Sequence, residues 1–220
     1  GERISAGMST KEVDELVERF IRAAGAYPSC LGYGGFPASA CVSVNEVVVH
    51  GIPDDKTILK DGDIVSVDLC AYKNGFHGDA ARTFLIGNVS EEKRLLVERT
   101  KECFFKGIEN LHAGTPLYDI GYRVQKYAES FGYGVIRSYT GHGIGREMHE
   151  DPAVPNYGRL GTGPRLKANT VICIEPMISM GNYRVRILDD DWGAVTIDGS
   201  PAAHYENTIL VTDGEPEILT

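Results

Sequence analysis

The sequence has no C-x-x-C pair, and its five cysteines, Cys30, Cys41, Cys70, Cys103 and Cys173, are odd in number and widely spaced. That argues against a disulfide framework and a thiolate zinc site. It leaves reduced core cysteines in a cytoplasmic protein, where the single sequon Asn88-Val89-Ser90 carries no meaning. Basic residues are in deficit, with 22 Lys and Arg against 31 Asp and Glu and a formal net charge of −9. A surface of that sign repels phosphate backbones, so no nucleic-acid partner is expected. No apolar run approaches about 18 residues, so no span of a membrane is expected. The chain opens Gly1-Glu2-Arg3, with neither Met nor an apolar h-region; no signal peptide is visible, and either a tag scar or a missing upstream segment is expected. Low-complexity segments and linkers are absent too. At 220 residues, with 42% apolar and 24% charged residues, the expectation is a single globular domain over residues 1–220 rather than a disordered, collagen-like or coiled-coil chain.

What is present is a change of hydrophobic period along the chain. Residues 9–24 read as a helix, opened by a capping box from Ser9 to Glu12 and carried by Val13, Leu16, Val17, Phe20, Ile21 and Ala24 at helical spacing. A second helix starts near Ser90, carries Leu95, Leu96, Cys103, Phe104 and Ile108, and stops at Gly114. A third starts at Thr115-Pro116, an N-cap followed by Pro, and runs to Gly132. Between them the period falls to two. Ile64–Leu69 reads as a strand, Lys73-Asn74-Gly75 as a hairpin turn, and Phe76–Ile86 as the returning strand. Further strands are expected around Val171–Ile174, Arg184–Leu188 and Tyr205–Val211. The fold class is therefore α+β, mainly antiparallel, with helices packed to one side.

One internal match stands out. Leu59–Asp68 aligns with Leu166–Glu175: Leu and Lys are identical, aliphatics coincide, and both windows end in a carboxylate. Chance likeness of two β-branched strands and an ancient duplication both explain it.

The candidate chemistry lies in polar groups set inside apolar runs. Asp68 ends Ile64-Val65-Ser66-Val67, and a buried carboxylate is costly unless paired, hydrogen-bonded or on a metal. Asp79 follows on the returning strand and can sit nearly opposite Asp68, which is unfavourable without a cation between them. Alternatively one of the two faces solvent or Arg82. Glu175 is the only charge in Val171–Met177, and Glu206 is set similarly in Tyr205–Val211. His142 lies among three glycines in Gly141-His142-Gly143-Ile144-Gly145, which would let backbone and metal approach closely. That segment is not the G-x-G-x-x-G fingerprint, and His142 and His149 are not spaced as H-E-x-x-H. Four carboxylates and one imidazole suit a dinuclear Mn, Fe, Co or Zn centre better than a structural zinc.

Asn45-Glu46-Val47-Val48-Val49-His50-Gly51-Ile52-Pro53, Phe76-His77-Gly78-Asp79-Ala80, Gly141–Gly145, Ile174-Glu175-Pro176-Met177 and Tyr205-Glu206-Asn207-Thr208 together resemble type I methionine aminopeptidases, in the same order and over essentially the whole chain. The resemblance implies the pita-bread fold, with two pseudo-symmetric halves and a curved, mainly antiparallel sheet covered by helices. It also implies a further helix upstream of residue 1. Asp68, Asp79, His142, Glu175 and Glu206 are implied as ligands of two divalent ions, with Asp79 and Glu206 bridging. His50 and His149 match the two active-site histidines that are not ligands.

The resemblance further implies that Cys30, Tyr33, Phe36, Cys41, Met148 and Trp192 line the slot for an N-terminal Met side chain; a wall of Cys, Met and aromatics suits a thioether. Met148 stands where relatives often carry an aromatic, and Trp192 lies in an Asp-rich loop that could equally hold a surface anchor. The implied reaction is hydrolytic removal of the initiator Met from nascent polypeptides, at the ribosome and by a monomer, when the second residue is small. Glu175 is expected to carry the proton, His149 to stabilise the oxyanion, and His50 to bond the scissile amide. The enzymatic alternative is a proline-specific peptidase (an Xaa-Pro aminopeptidase or prolidase) with the same ligands. The other is a non-catalytic binding protein on this fold.

Overall fold

The computed structural model describes residues 1–220. Ser9 opens α1 (Thr10–Ala23) with the expected reciprocal bonds, its hydroxyl accepting from Glu12 N and the Glu12 carboxylate accepting from Ser9 N. Ser90 caps α2 (Glu91–Gly107), and α3 spans Tyr118–Glu129. Fifteen strands complete the chain: β1 (Tyr27–Pro28), β2 (Cys41–Val44), β3 (Val47–Val49), β4 (Ile64–Lys73), β5 (Phe76–Leu85), β6 (Gly134–Val135), β7 (Gly141–Gly143), β8 (Glu150–Val154), β9 (Val171–Ile174), β10 (Met177–Ser179), β11 (Val185–Ile187), β12 (Ala194–Thr196), β13 (Ala202–His204), β14 (Glu206–Leu210) and β15 (Glu217–Ile218). Nine form one sheet, in the order β1-β4-β5-β14-β9-β7-β8 with β2 also on β4 and β15 also on β14. Two three-stranded sheets, β13-β10-β6 and β11-β12-β3, flank it. Every pairing is antiparallel.

Two helix boundaries differ from expectation. The second helix ends at Gly107 rather than near Gly114, because the chain turns at once through Asn110, whose φ is +58°. Gly107 lies against α3, where a Cβ would stand 3.0 Å from a Val124 methyl. The third helix begins at Tyr118, not at Thr115-Pro116. Pro116 instead bridges Arg165, and the Thr115 hydroxyl accepts from His112 N, so the cap-like pair serves the loop.

The β4–β5 hairpin closes through Asn74-Gly75, with φ +54° and +90°, the two-residue turn that matches strand twist. Its register refines one expectation. Asp68 faces Ala81, while Asp79 faces Cys70, so the two aspartates are diagonal neighbours on one face rather than directly opposed. The alternation puts Val65 and Val67 on the other face, where they pack with Val13, Val17 and Ile21 of α1. In the second half Ile172, Ile174 and Ile209 likewise pack on Phe104 and Ile120 of α2 and α3. The helices thus cover one face of the sheet and leave Asp68, Asp79, Glu175 and Glu206 on the other.

The internal sequence match has a backbone counterpart. Gly7 N donates to Leu59 O, and Leu59 N donates to Met8 O. At the same offset along the chain, Gly114 N donates to Leu166 O, and Leu166 N donates to Thr115 O. The isolated bridges Ser9–Ile58 and Pro116–Arg165 repeat it again. Chance likeness of two strands does not reproduce bonds to a third segment, so duplication is the better account and the halves are pseudo-symmetric.

Candidate metal centre

Ala81 is the pivot of the site. It is fully buried and is the cross-strand partner of Asp68 on β4 and of Glu206 on β14. Asp79 lies two residues along the same strand and so shares the face. A methyl group between two carboxylate-bearing strands leaves room for their side chains to lean together. Glu175 arrives from a bend. β9 ends at Ile174, Pro176 interrupts the strand, and β10 enters the smaller sheet at Met177. The neighbouring strand bends at Tyr205, whose N–H donates to Pro176 O, so Glu175 and Glu206 sit where both strands change sheets.

His142 comes from β7. Cβ atoms on Gly141 and Gly143 would stand 2.2 Å from the carbonyls of Cys173 and Asp151. These glycines are required by close approach to the flanking strands, rather than by approach to a metal. The Nδ1–H of His142 donates to Gly143 O at 2.9 Å and leaves Nε2 3.6 Å from Glu175 Oε1. A carbonyl only accepts, so this bond fixes the tautomer and frees Nε2 as a ligand atom. One donor atom each from Asp79, His142, Cys173 and Glu206 lie within 4.8 Å of one another.

The electrostatics disfavour four ionised carboxylates here unless a cation lies among them. Burial raises Asp68 from 3.8 to about 7. Burial and then its carboxylate neighbours push Asp79, Glu175 and Glu206 well above the usual range. No lysine or arginine pairs with any of them. Arg82 lies on the opposite face, where its guanidinium donates to Glu206 O and Asn207 Oδ1, so it does not neutralise Asp79. Asp79 Oδ1 is buried with no hydrogen-bond partner. Converging anionic oxygens with an orphaned acceptor and a tautomer-locked imidazole fit a divalent-metal centre.

A cavity of about 150 Å³ joins Asp68, Asp79, His142, Glu175 and Glu206 to His50, His149 and Tyr139. His50 is held at φ +59°, with its ring edge-on to Tyr139 at 5.1 Å. His149 Nδ1 and the Tyr33 hydroxyl are 2.8 Å apart, and its ring lies 4.2 Å from that of His142. Burial, then the neighbouring imidazoles, lower His149 to about 4.

A second cavity of about 180 Å³ brings together Cys30, Tyr33, Phe36, Cys41, Met148 and Trp192, and shares His50, Asp68, Asp79 and His149 with the first. Phe36, Cys41 and Met148 are buried, Tyr33 forms an exposed rim, and Trp192 packs edge-on against Phe36. The Asp-rich loop points Trp192 inward, since Asp190 Oδ1 accepts from both Trp192 N and Gly193 N.

Sequence reading missed several parts of this site. Cys173 reads as core and does pack there, yet its sulfur also belongs to the donor cluster. The Thr208 hydroxyl bonds both the N–H and the carbonyl of Asp79. Buried Asp14 accepts from Ser39 N and Ala40 N and so holds the loop between Phe36 and Cys41. Its signal was a lone carboxylate on the apolar side of α1.

A family model described as metallopeptidase family M24 matches residues 1–213. The methionine aminopeptidase of Clostridium acetobutylicum is 57% identical over 214 residues, spanning 97% of this chain and 86% of that protein. The crystal structure of methionine aminopeptidase from Thermotoga maritima superposes with a TM-score of 0.97 at 46% identity, covering 100% of this chain and 88% of that one. Prolidase from Pyrococcus furiosus superposes with a TM-score of 0.76 at 26% identity, and 57% of its length is covered.

Proposed function

The chain belongs to metallopeptidase family M24, and from that premise we propose that it is a methionine aminopeptidase, a metal-dependent exopeptidase that removes Met from the N-termini of nascent polypeptides. The observation that carries this reading is the shared wall between the carboxylate cavity and the apolar slot, formed by His50, Asp68, Asp79 and His149. A methionine whose thioether is seated in the slot has its amine and scissile carbonyl beside the carboxylate cavity. The high identity to a methionine aminopeptidase, against 26% to a prolidase, favours this branch. No helix is long and apolar enough to cross a membrane, and the five free cysteines suit action in the cytoplasm.

Asp68, Asp79, His142, Glu175 and Glu206 would hold two divalent ions. Such ions supply Lewis acidity to the scissile carbonyl and acidify the attacking water. Glu175 takes the water proton and returns it to the leaving amine. His149, anchored by Tyr33, donates to the developing oxyanion. His50 bonds the scissile amide and crowds the second side chain. The slot excludes branched or charged first residues, because a narrow apolar wall neither admits branching nor solvates charge.

The test is hydrolysis of Met-Ala-Ser by chelator-stripped protein reconstituted with Co, Mn, Fe or Zn in turn. Metal-dependent release of Met is expected. Faster cleavage of Xaa-Pro substrates would move the chain to the proline-peptidase branch, and metal binding without turnover of any peptide would make it a binding protein.

A further inference from the structure

A third side chain reaches between Glu175 and Glu206. His204, at the end of β13, is 2% exposed, and its Nε2 lies 3.8 Å from Glu175 Oε2 and 3.9 Å from Glu206 Oε2. That nitrogen is buried without a hydrogen-bond partner. The backbone beneath the ring is clamped on both sides. His204 N donates to Thr83 Oγ1, the same hydroxyl donates to His204 O, and His204 pairs with Met177 across the small sheet. The ring is thus aimed at the carboxylates by a fixed strand.

With cations bound both carboxylates are ionised and only accept, so the His204 nitrogen, which faces no cation-binding position of its own, serves them by carrying the hydrogen. Each separation exceeds a hydrogen bond, and the nitrogen is almost equidistant from its two acceptors, so a movement of under ~1 Å engages either. Glu175 already divides its oxygens, Oε1 toward His142 and Oε2 toward His204. The terminal torsion of a glutamate is broad and does not hold such a division unaided.

We propose that His204 is a positioning residue of the metal centre, whose Nε2–H, set between Glu175 and Glu206, fixes which oxygen each carboxylate turns toward the ions. This rests on the five-ligand reading above. Residues that orient ligating carboxylates change metal affinity by about 10–100-fold when lost.

The experiment compares His204→Gln and His204→Met, side chains of equal length of which only the first keeps an N–H donor. Chelator-stripped full-length protein is titrated with Mn²⁺ by calorimetry, alongside thermal melts. Weakening of Mn²⁺ binding by about 10–100-fold in the Met variant, with near-native affinity in the Gln variant, is the expected result. A folded Met variant with native affinity overturns the proposal, as does a folded Gln variant as weak as Met. If the Met variant does not fold, the Gln variant decides: retained affinity supports the donor role and a tenfold loss overturns it. Native protein that binds no Mn²⁺ refutes the five-ligand centre itself, which separates that failure from failure of the role given to His204.

Discussion

Ala81 separates the two strands that carry Asp68 and Glu206, and enlarging it tests the geometry directly. Neighbouring strands lie about 4.8 Å apart, so Asp68 and Glu206, on either side of Ala81, are rooted roughly 10 Å from each other. Their carboxylates meet only because a methyl group separates the two strands on that face. Ala81→Val adds two methyl groups at a fully buried position between the strands whose Asp68 and Glu206 line a cavity of about 150 Å³. Overpacking of this kind costs about 1–3 kcal/mol. In a chain of this length each kcal/mol lowers Tm by about 2–4 °C, which predicts a fall of roughly 2–12 °C. The larger effect is on the centre, since the added methyls stand where the Asp68 and Glu206 side chains lean together. Metal retained after dialysis and Met-Ala-Ser turnover should therefore fall far more than stability. Ala81→Gly is the control: it leaves the gap open, costs about 0.5–1 kcal/mol of strand stability, and should keep its metal. A Val variant with native metal content and native kcat would refute the reasoning.

Asp79→Ala should weaken metal binding and lower turnover by orders of magnitude, because Glu206 alone cannot hold two cations; native kcat with two bound ions would show that Asp79 is not a bridging ligand. His50→Ala and His149→Ala should retain their metal and lose roughly 10²–10³ in kcat, the loss typical of one oxyanion donor; metal lost on dialysis would make either one a ligand. Across a Met-Xaa-Ser series, kcat/KM should be high for Gly, Ala, Ser, Thr, Cys, Pro and Val and low for Lys, Arg, Glu and Phe; a flat profile would remove His50 from the second-residue contact. Chelation should make stability fall with pH. The carboxyl of Asp68 is raised from 3.8 to about 7, so its contribution is complete below about pH 4 and is lost as pH rises through 7. The Tm gap between metal-loaded and chelated protein should widen from pH 5 to pH 8, and a constant gap would argue against carboxylate repulsion.

Legibility from the sequence followed the strength of the local signal. The capping box at Ser9, the Asn74-Gly75 turn and the β9 strand are each written in adjacent residues, and the structure places them there. Asp68, Glu175 and Glu206 stood out because an ionisable group inside an apolar strand has few inexpensive explanations. The β7 strand did not, since two of its three residues are glycine and its extended form comes from close packing on β9 and β8. The start of α3 was misplaced because Thr115-Pro116 has the composition of a cap, while a tertiary bond to the Arg165 segment claims it. His204 carried no usable signal. A histidine ending a short strand reads as ordinary core, and only the bend at Tyr205 turns it onto the carboxylates.

Duplication explains both the likeness of the two halves and their division of labour. β4 and β9 occupy equivalent places, on either side of the β5–β14 pair, and end their matched windows with Asp68 and Glu175. The inner strands supply Asp79 and Glu206, so each half contributes one outer and one inner carboxylate to a common face. A cluster assembled this way is held by both halves at once, and neither half alone supplies more than two of its four carboxylates. The flanks then differ. Beside β4, β2 sets Cys41 directly opposite Asp68, and that sulfur lines the apolar slot. Beside β9, β7 sets Gly143 opposite Ile172, which brings His142 level with Cys173 on the carboxylate face. One flank of a repeated frame lines an apolar cavity and the other brings an imidazole to the carboxylates. An exopeptidase needs this asymmetry, because the residue to be removed must lie to one side of the ions and the rest of the polypeptide must leave by another.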